Sequence, residues 1–127
     1  MREKIYVVPI IVRSFDGRIL VVKKEGSLEL PLWVFDFKEN PVDFLKRRLN
    51  EEFYGSFIVR YFLGENSSII GKDNLERIIA YRVDCKTHDV YNKKSFNLFY
   101  RDFVWADRTN LIKLRELLKE ERFLEFV

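Results

Sequence analysis

The segment Glu39–Glu52, ENPVDFLKRRLNEE, decides the fold because it carries the clearest helix signal in the chain. Its start combines an N-cap residue, a proline at the first helical position and an acid in the first turn: Asn40, Pro41 and Asp43. Apolar residues recur at helical spacing, at Val42, Leu45, Leu49 and Phe53. These signals predict a helix over residues 40–54 with one apolar side in the core, and Gly55 suits its C-terminal cap.

The residues on either side of this helix predict a sheet. Alternating and β-branched runs indicate strands at 4–13, 18–24, 32–37, 56–63, 76–86 and 96–105. Asp16-Gly17 is a tight-turn signal, while 25–31 and the GENSS segment after Leu63 are interpreted as loop or turn. A leucine-rich second helix is predicted at 109–121. The order β-β-β-α-β-β-β-α predicts an α+β fold with a mixed sheet flanked by two helices.

Composition narrows the class of protein. The 127 residues are 47% hydrophobic, which predicts one domain over 1–127 with a real core. No apolar run approaches the roughly 20 residues of a membrane span, and no stretch has the form of a signal peptide, so we expect a cytoplasmic protein without a membrane partner. The absence of glutamine and the high share of charged residues (34%) suggest a thermophilic source.

Several chemistries are excluded by residue counts. Cys85 and His88 are the single cysteine and single histidine, which excludes internal disulfides, multi-thiolate zinc sites and His-rich metal sites. We expect Cys85 to be a core or strand residue and His88 a loop residue. The sequence contains neither G-x-x-x-x-G-K-[ST] nor G-x-G-x-x-G, the two glycine-rich motifs that bind phosphate groups. The net charge of +3 permits an anionic ligand without requiring nucleic acid.

The predicted helix resembles the Nudix box, whose motif is G-x5-E-x7-R-E-U-x-E-E-x-G-U with U a bulky aliphatic residue. Glu39 and Arg47 stand at the E-x7-R spacing, Leu49 matches U, and Glu51-Glu52 match the E-E pair. Trp33-Val34-Phe35 resembles the aromatic strand before the family's glycine loop. The late Phe103-Val104-Trp105 segment followed by a helix is also similar. The resemblance implies a Nudix-like α/β/α sandwich.

The departures from the motif fall on its catalytic positions. The glycine-rich loop before Glu39 is missing and its segment is shortened. Arg48 stands where the family has the glutamate after its arginine, and Tyr54 stands where it has glycine. The spacing i, i+3, i+4 predicts that Arg48, Glu51 and Glu52 share one exposed helix face.

The family's chemistry is metal-assisted attack of water on nucleoside diphosphate derivatives. A face of three carboxylates would suit Mg²⁺ or Mn²⁺, whereas the Arg48 guanidinium can neutralise Glu51 and Glu52 itself and repel a cation. Because they match the E-E pair, Glu51 and Glu52 are the candidate catalytic residues, and they would be the ligands of any bound metal. We expect no metal cofactor, because Arg48 lies beside them. The resemblance implies a structural salt bridge between Glu39 and Arg47. Arg48 and Trp33 are candidate ligand-binding residues.

Three functions remain open, in this order of preference. The first is a degenerate Nudix-fold protein that binds a nucleotide, such as a nucleoside diphosphate, or a protein partner. The second is an active metal-dependent pyrophosphohydrolase in which another carboxylate joins the pair, from Glu39, Asp36, Asp43 or Asp89. A homodimer is compatible with either.

The third function is a nucleic-acid-binding module. It would use three basic pairs or triplets and three aromatic residues for stacking: Lys46-Arg47-Arg48, Lys23-Lys24, Lys93-Lys94, Tyr91, Phe96 and Tyr100. Because these basic residues are interleaved with acids, we favour solvated surface for them and do not expect a nucleic-acid partner.

Overall fold

The computed structural model describes residues 2–24, 27–70, 74–93 and 102–107. Within these ranges, a seven-stranded mixed sheet and a two-stranded ribbon accompany one helix, which confirms the α+β class predicted from the order of elements. The predicted helix at 109–121 lies outside the described residues. No helix within the described ranges has the length and apolar character needed to cross a bilayer.

The elements follow one another in the order β1 (Arg2–Arg13), β2 (Ile19–Lys24), β3 (Ser27–Glu29), β4 (Trp33–Val34), α1 (Pro41–Glu52), β5 (Phe53–Tyr54), β6 (Phe57–Ile70), β7 (Asn74–Cys85), β8 (Tyr91–Asn92) and β9 (Asp102–Ala106). The predicted strand at 96–105 is described only from residue 102 onward.

Three strand predictions need correction. Strand β3 forms in a segment interpreted as loop because it pairs with β2, and of the predicted strand 32–37 only β4 is formed. Strand β6 continues through GENSS to Ile70 because its pairing with β7 holds that segment extended, with Gly64 opposite Ala80. Cross-strand pairing thus overrides the local turn preference of these residues.

Strand β1 organises the sheet. It pairs in parallel with β7 along its whole length, from Arg2 opposite Asn74 to Arg13 opposite Cys85. It also pairs with β4 near its start and with β2 near its end. Because β4 is hydrogen-bonded to β1, the Phe35 N–H donates to the Ile5 carbonyl at 2.8 Å, and the segment that leads into α1 is attached to the sheet.

Buried side chains alternate along β1 and form two apolar clusters, one on each face of the strand. Helix α1 packs on the cluster that contains Ile5, Val7 and Ile11. Leu45 and Leu49 are 0% and 2% exposed, which confirms the predicted core-facing side of the helix.

Both ends of α1 have a local cause. The Asn40 side chain accepts from the Asp43 N–H at 2.9 Å, which confirms the predicted N-cap. The helix ends at Glu52, so the predicted end at residue 54 and the cap at Gly55 are wrong. Strand β5 leaves the helix because it pairs with β8, with Tyr54 opposite Tyr91, and the Phe53 ring is buried in the core.

The turn and loop predictions near β1 are confirmed. Gly17 takes a φ of +72° in the turn between β1 and β2, a conformation that glycine adopts without strain. Cys85 is fully buried at the end of β7. His88 lies in the segment that follows, where its ring stacks on Phe15 with 4.7 Å between centroids.

Candidate functional site

Helix α1 and the segment before it bring six charged side chains together: Asp36, Glu39, Arg47, Arg48, Glu51 and Glu52. Four carboxylates and two guanidinium groups leave this cluster with a formal charge of −2. We call it the box cluster, because it contains every charged residue that matched the Nudix motif. Its chemistry depends on how the two arginines divide the carboxylates between them.

Arg47 binds three of the carboxylates. Its Nε donates to Glu39 at 2.5 Å, its Nη2 to Asp36 at 2.8 Å and its Nη1 to Glu51 at 3.0 Å. These contacts raise the pKa of the Arg47 guanidinium, chiefly through the hydrogen bond with Glu39. The hydrogen bond from Arg47 also lowers the pKa of Glu51. The structure therefore brings Glu39 and Arg47 together and adds Asp36 to the pair.

Arg48 lies across the two glutamates at the end of α1. Its Nη1 is 3.4 Å from Glu51 and its Nη2 is 3.1 Å from Glu52. The same guanidinium lies 5.4 Å from the ring centroid of Trp33, over the indole. Glu51 thus contacts both arginines, one at each carboxylate oxygen.

Glu52 corrects one prediction about this helix. It was expected on an exposed face, but its side chain is only 4% exposed. Glu52 follows Leu45 by seven residues and Leu49 by three, so it falls on the apolar side of α1. That spacing is visible in the sequence and could have indicated its burial. A buried carboxylate needs partners, and Arg48 supplies one.

The segment before α1 contains one residue in a left-handed backbone conformation. Phe37 adopts a φ of +61° although it is not glycine, a conformation that costs a residue with a side chain roughly 1–2 kcal/mol. Asp36 accepts from the Lys38 N–H at 3.1 Å, and Phe35 and Phe37 pack with 4.7 Å between ring centroids. This backbone brings Asp36 to Arg47, an arrangement that no motif in the sequence predicted.

Trp33 forms the floor beneath Arg48. It is 5% exposed and lies 6.1 Å from the Phe53 ring, centroid to centroid. Its indole N–H is buried, and no hydrogen-bond acceptor for it occurs among the described residues. As a candidate ligand-binding residue, Trp33 is therefore covered by Arg48 rather than open to solvent.

The carboxylates of the box cluster are the side chains that could hold the divalent metal implied by the resemblance. No group of three or more His, Cys, Asp or Glu side chains in the described ranges is placed to hold a metal ion. The carboxylates considered as additional ligands have other partners. Glu39 and Asp36 bind Arg47, Asp43 accepts from Asn40, and Asp89 accepts from the Trp105 indole at 3.3 Å.

Several of the basic residues considered for nucleic acid already contact other groups of the protein. Arg47 and Arg48 are engaged by carboxylates. The Lys93 ammonium donates to the Asn50 carbonyl and lies over the Tyr54 ring. Lys94, Phe96 and Tyr100 lie outside the described residues.

No protein-family model matches the chain, and no curated protein matches it in sequence. Similar solved structures nevertheless cover almost all of it. The E. coli ORF135 protein superposes with a TM-score of 0.74 at 18% identity, over 99% of this chain and 89% of that one.

Two further solved structures superpose on the chain to a similar extent. A NUDIX hydrolase from Nitrosomonas europaea has a TM-score of 0.73 at 12% identity, over 98% of this chain and 85% of its own. The MutT protein from Methanosarcina mazei Go1 has a TM-score of 0.70 at 16% identity, over 98% and 89%. At these identities the likeness shows the fold, which is Nudix-like.

Proposed function

We propose that this chain is a Nudix-fold protein with a degenerate catalytic motif, and that it binds a nucleotide or a protein partner rather than hydrolysing efficiently. The observation that carries the proposal is the position of Arg48, whose guanidinium contacts Glu51 and Glu52 at 3.4 and 3.1 Å. These are the two carboxylates that match the E-E pair of the motif. A cation of the protein itself lies where the resemblance implies a divalent ion.

Electrostatics support this role of Arg48. Two unit charges 4 Å apart interact by roughly 4 kcal/mol at an effective dielectric constant near 20, before screening and side-chain entropy reduce the value. A divalent ion would have to displace the guanidinium and then remain close to it. It would also have to compete with Arg47 for Glu51. Each step opposes metal binding at Glu51 and Glu52.

The segment from Asp36 to Glu39 opposes metal binding in a second way. Asp36 and Glu39 both contact Arg47, so a second guanidinium neutralises the two carboxylates of the segment before α1. We assign Glu39 and Arg47 a structural role, which is to fasten the segment before α1 to the helix. In this role the pair contributes to the geometry of the fold and takes no part in chemistry.

An active pyrophosphohydrolase is the second candidate, and one observation favours it. The box cluster keeps a formal charge of −2, so a divalent cation would gain energy there if Arg48 rotated away. Some rearrangement of this kind is what a metal site at Glu51 and Glu52 would require.

An activity assay separates the two candidates. The protein would be incubated with Mn²⁺ and a panel of nucleoside diphosphate derivatives, with Glu52→Gln as the control that removes one candidate ligand. We expect product formation at the background rate for both proteins, and nucleoside diphosphate binding by NMR titration without metal if the partner is a nucleotide. Turnover by the wild type that Glu52→Gln abolishes would establish the active enzyme instead.

A further inference from the structure

A cleft of about 270 Å³ lies between α1 and the start of β6. Its apolar wall consists of Leu49, Phe57 and Val59, and its polar side chains are Lys46, Asn50 and Ser56. None of the residues that line it belongs to the box cluster. The cleft is therefore a separate place on the molecule, and its capacity to bind a ligand does not depend on whether Glu51 and Glu52 bind a metal.

The polar side of the cleft is positive. Lys46 and Asn50 are four residues apart on α1 and so lie on the same face of the helix. The Lys46 ammonium is exposed and has no ion pair with any described residue, and no lining residue is acidic. Lys93 adds a second ammonium beside the cleft, because its Nζ donates to the Asn50 carbonyl at 2.5 Å.

Gly55 lies against the Phe57 ring in the wall of the cleft. A Cβ at this position would lie 3.0 Å from two atoms of the Phe57 ring and 3.3 Å from the Thr87 hydroxyl oxygen. The ring of Phe57 lines the cleft, so an alanine at position 55 would force that ring to move. A side chain at position 55 would thus disturb the apolar wall of the cleft.

We propose that this cleft binds the phosphate group of a small ligand. The lining of the cleft includes an ammonium, a carboxamide and a hydroxyl group, and all three can donate hydrogen bonds to phosphate oxygens. Lysine binds phosphate as a point charge. The apolar wall leaves room for a small organic group attached to the phosphate.

The test uses inorganic phosphate as the probe in a ¹H–¹⁵N NMR titration of the full chain. We expect saturable shifts of the Asn50, Gly55 and Ser56 amides. Lys46→Gln should weaken phosphate binding about tenfold, because it removes a charge-assisted hydrogen bond. Gly55→Ala should weaken binding as well if it folds. Lys46→Gln alters an exposed side chain, so it keeps the test valid if Gly55→Ala does not fold.

Two controls make the result decisive. Lys38→Gln removes an exposed lysine before α1 and should leave phosphate binding unchanged. Sodium chloride at matched ionic strength should not shift the three amides. Unsaturable shifts, equal shifts with chloride, or an affinity unchanged by Lys46→Gln would overturn the proposal. None of these results would bear on metal binding at Glu51 and Glu52.

Discussion

Nη2 of Arg48 lies 3.1 Å from Oε1 of Glu52, whose side chain is 4% exposed, while the Arg48 side chain is 27% exposed. The buried carboxylate is thus paired with a guanidinium that reaches in from the surface. Such a pair is asymmetric, because Arg48 has access to water and Glu52 does not. Removing the arginine would take a charged partner away from a buried carboxylate, which water could not fully replace.

A double-mutant cycle measures this relationship. We expect Arg48→Met to lower the free energy of unfolding by about 1–3 kcal/mol, and most of the loss to disappear in the Glu52→Gln background. The comparison cycle is Arg48 with Glu51, whose side chain is 43% exposed and whose distance is 3.4 Å. That pair should couple by less than about 0.5 kcal/mol in urea unfolding. Equal coupling in both cycles would contradict the burial of Glu52.

Packing of α1 on the sheet gives a second prediction. Leu49 is 2% exposed and belongs to the cluster beneath the helix. We expect Leu49→Ala to cost about 2–5 kcal/mol of unfolding free energy, measured by urea denaturation. Lys46→Ala, on an exposed face of the same helix, should change stability by about 0.5 kcal/mol or less. A loss below about 1 kcal/mol for Leu49→Ala would mean that Leu49 does not lie on the core-facing side of α1.

The backbone at Phe37 gives a third prediction. Its φ of +61° suits glycine, but its ring packs on Phe35, so a single substitution would mix two effects. Phe37→Ala and Phe37→Gly both remove the ring, and only glycine relieves the backbone. We therefore expect Phe37→Gly to be more stable than Phe37→Ala by about 1 kcal/mol in thermal unfolding. If alanine were equal or better, residue 37 would not hold this conformation in solution.

The turn between β1 and β2 gives a pH-dependent prediction. The hydrogen bonds from Arg13, at 3.1 and 2.6 Å, lower the pKa of Asp16 from 3.8 to about 2. Because the folded pKa is depressed, this pair stabilises the protein above the unfolded pKa, and the stabilisation is lost as the pH falls from about 4 towards 2. We expect the Asp16 carboxyl ¹³C signal to titrate near the lower value.

Matched variants identify the cause of that shift. Arg13→Gln should return the pKa of Asp16 towards 3.8, whereas Arg18→Gln should change it little, because the Arg18 guanidinium lies 3.5 Å away and its backbone N–H remains. A larger effect of Arg18→Gln than of Arg13→Gln would contradict the geometry of the turn.

The parts of the fold that sequence predicted are those with local causes. Asn40, Pro41 and Asp43 set the start of α1 through contacts within one turn of the helix. Gly17 sets the turn after β1 through its own backbone. The end of α1 was missed because it depends on the pairing of β5 with β8, two strands separated by more than thirty residues. Short strands of this kind have no local signal of their own.

For the box cluster, too, some contacts could be predicted from the sequence and others could not. The Glu39–Arg47 pair and the contacts of Arg48 follow from helix spacing and from the resemblance, and the structure places these side chains together. The contact of Asp36 with Arg47 depends on the left-handed backbone at Phe37. No residue type in this segment indicates that conformation, so the contact could not be predicted. The burial of Glu52 could have been predicted from its spacing to Leu49. The adjacent acids Glu51 and Glu52 indicated a solvated face instead.

The most direct test of the role of Arg48 is isothermal titration calorimetry with Mn²⁺ on the wild type and on Arg48→Glu. That substitution would replace the guanidinium by a third carboxylate beside Glu51 and Glu52, so we expect measurable Mn²⁺ binding by the variant and none by the wild type at micromolar metal. Arg48→Gln is the control that removes the positive charge without adding a carboxylate, and it should bind more weakly than Arg48→Glu. Micromolar Mn²⁺ binding by the wild type, abolished by Glu52→Gln, would contradict a degenerate site.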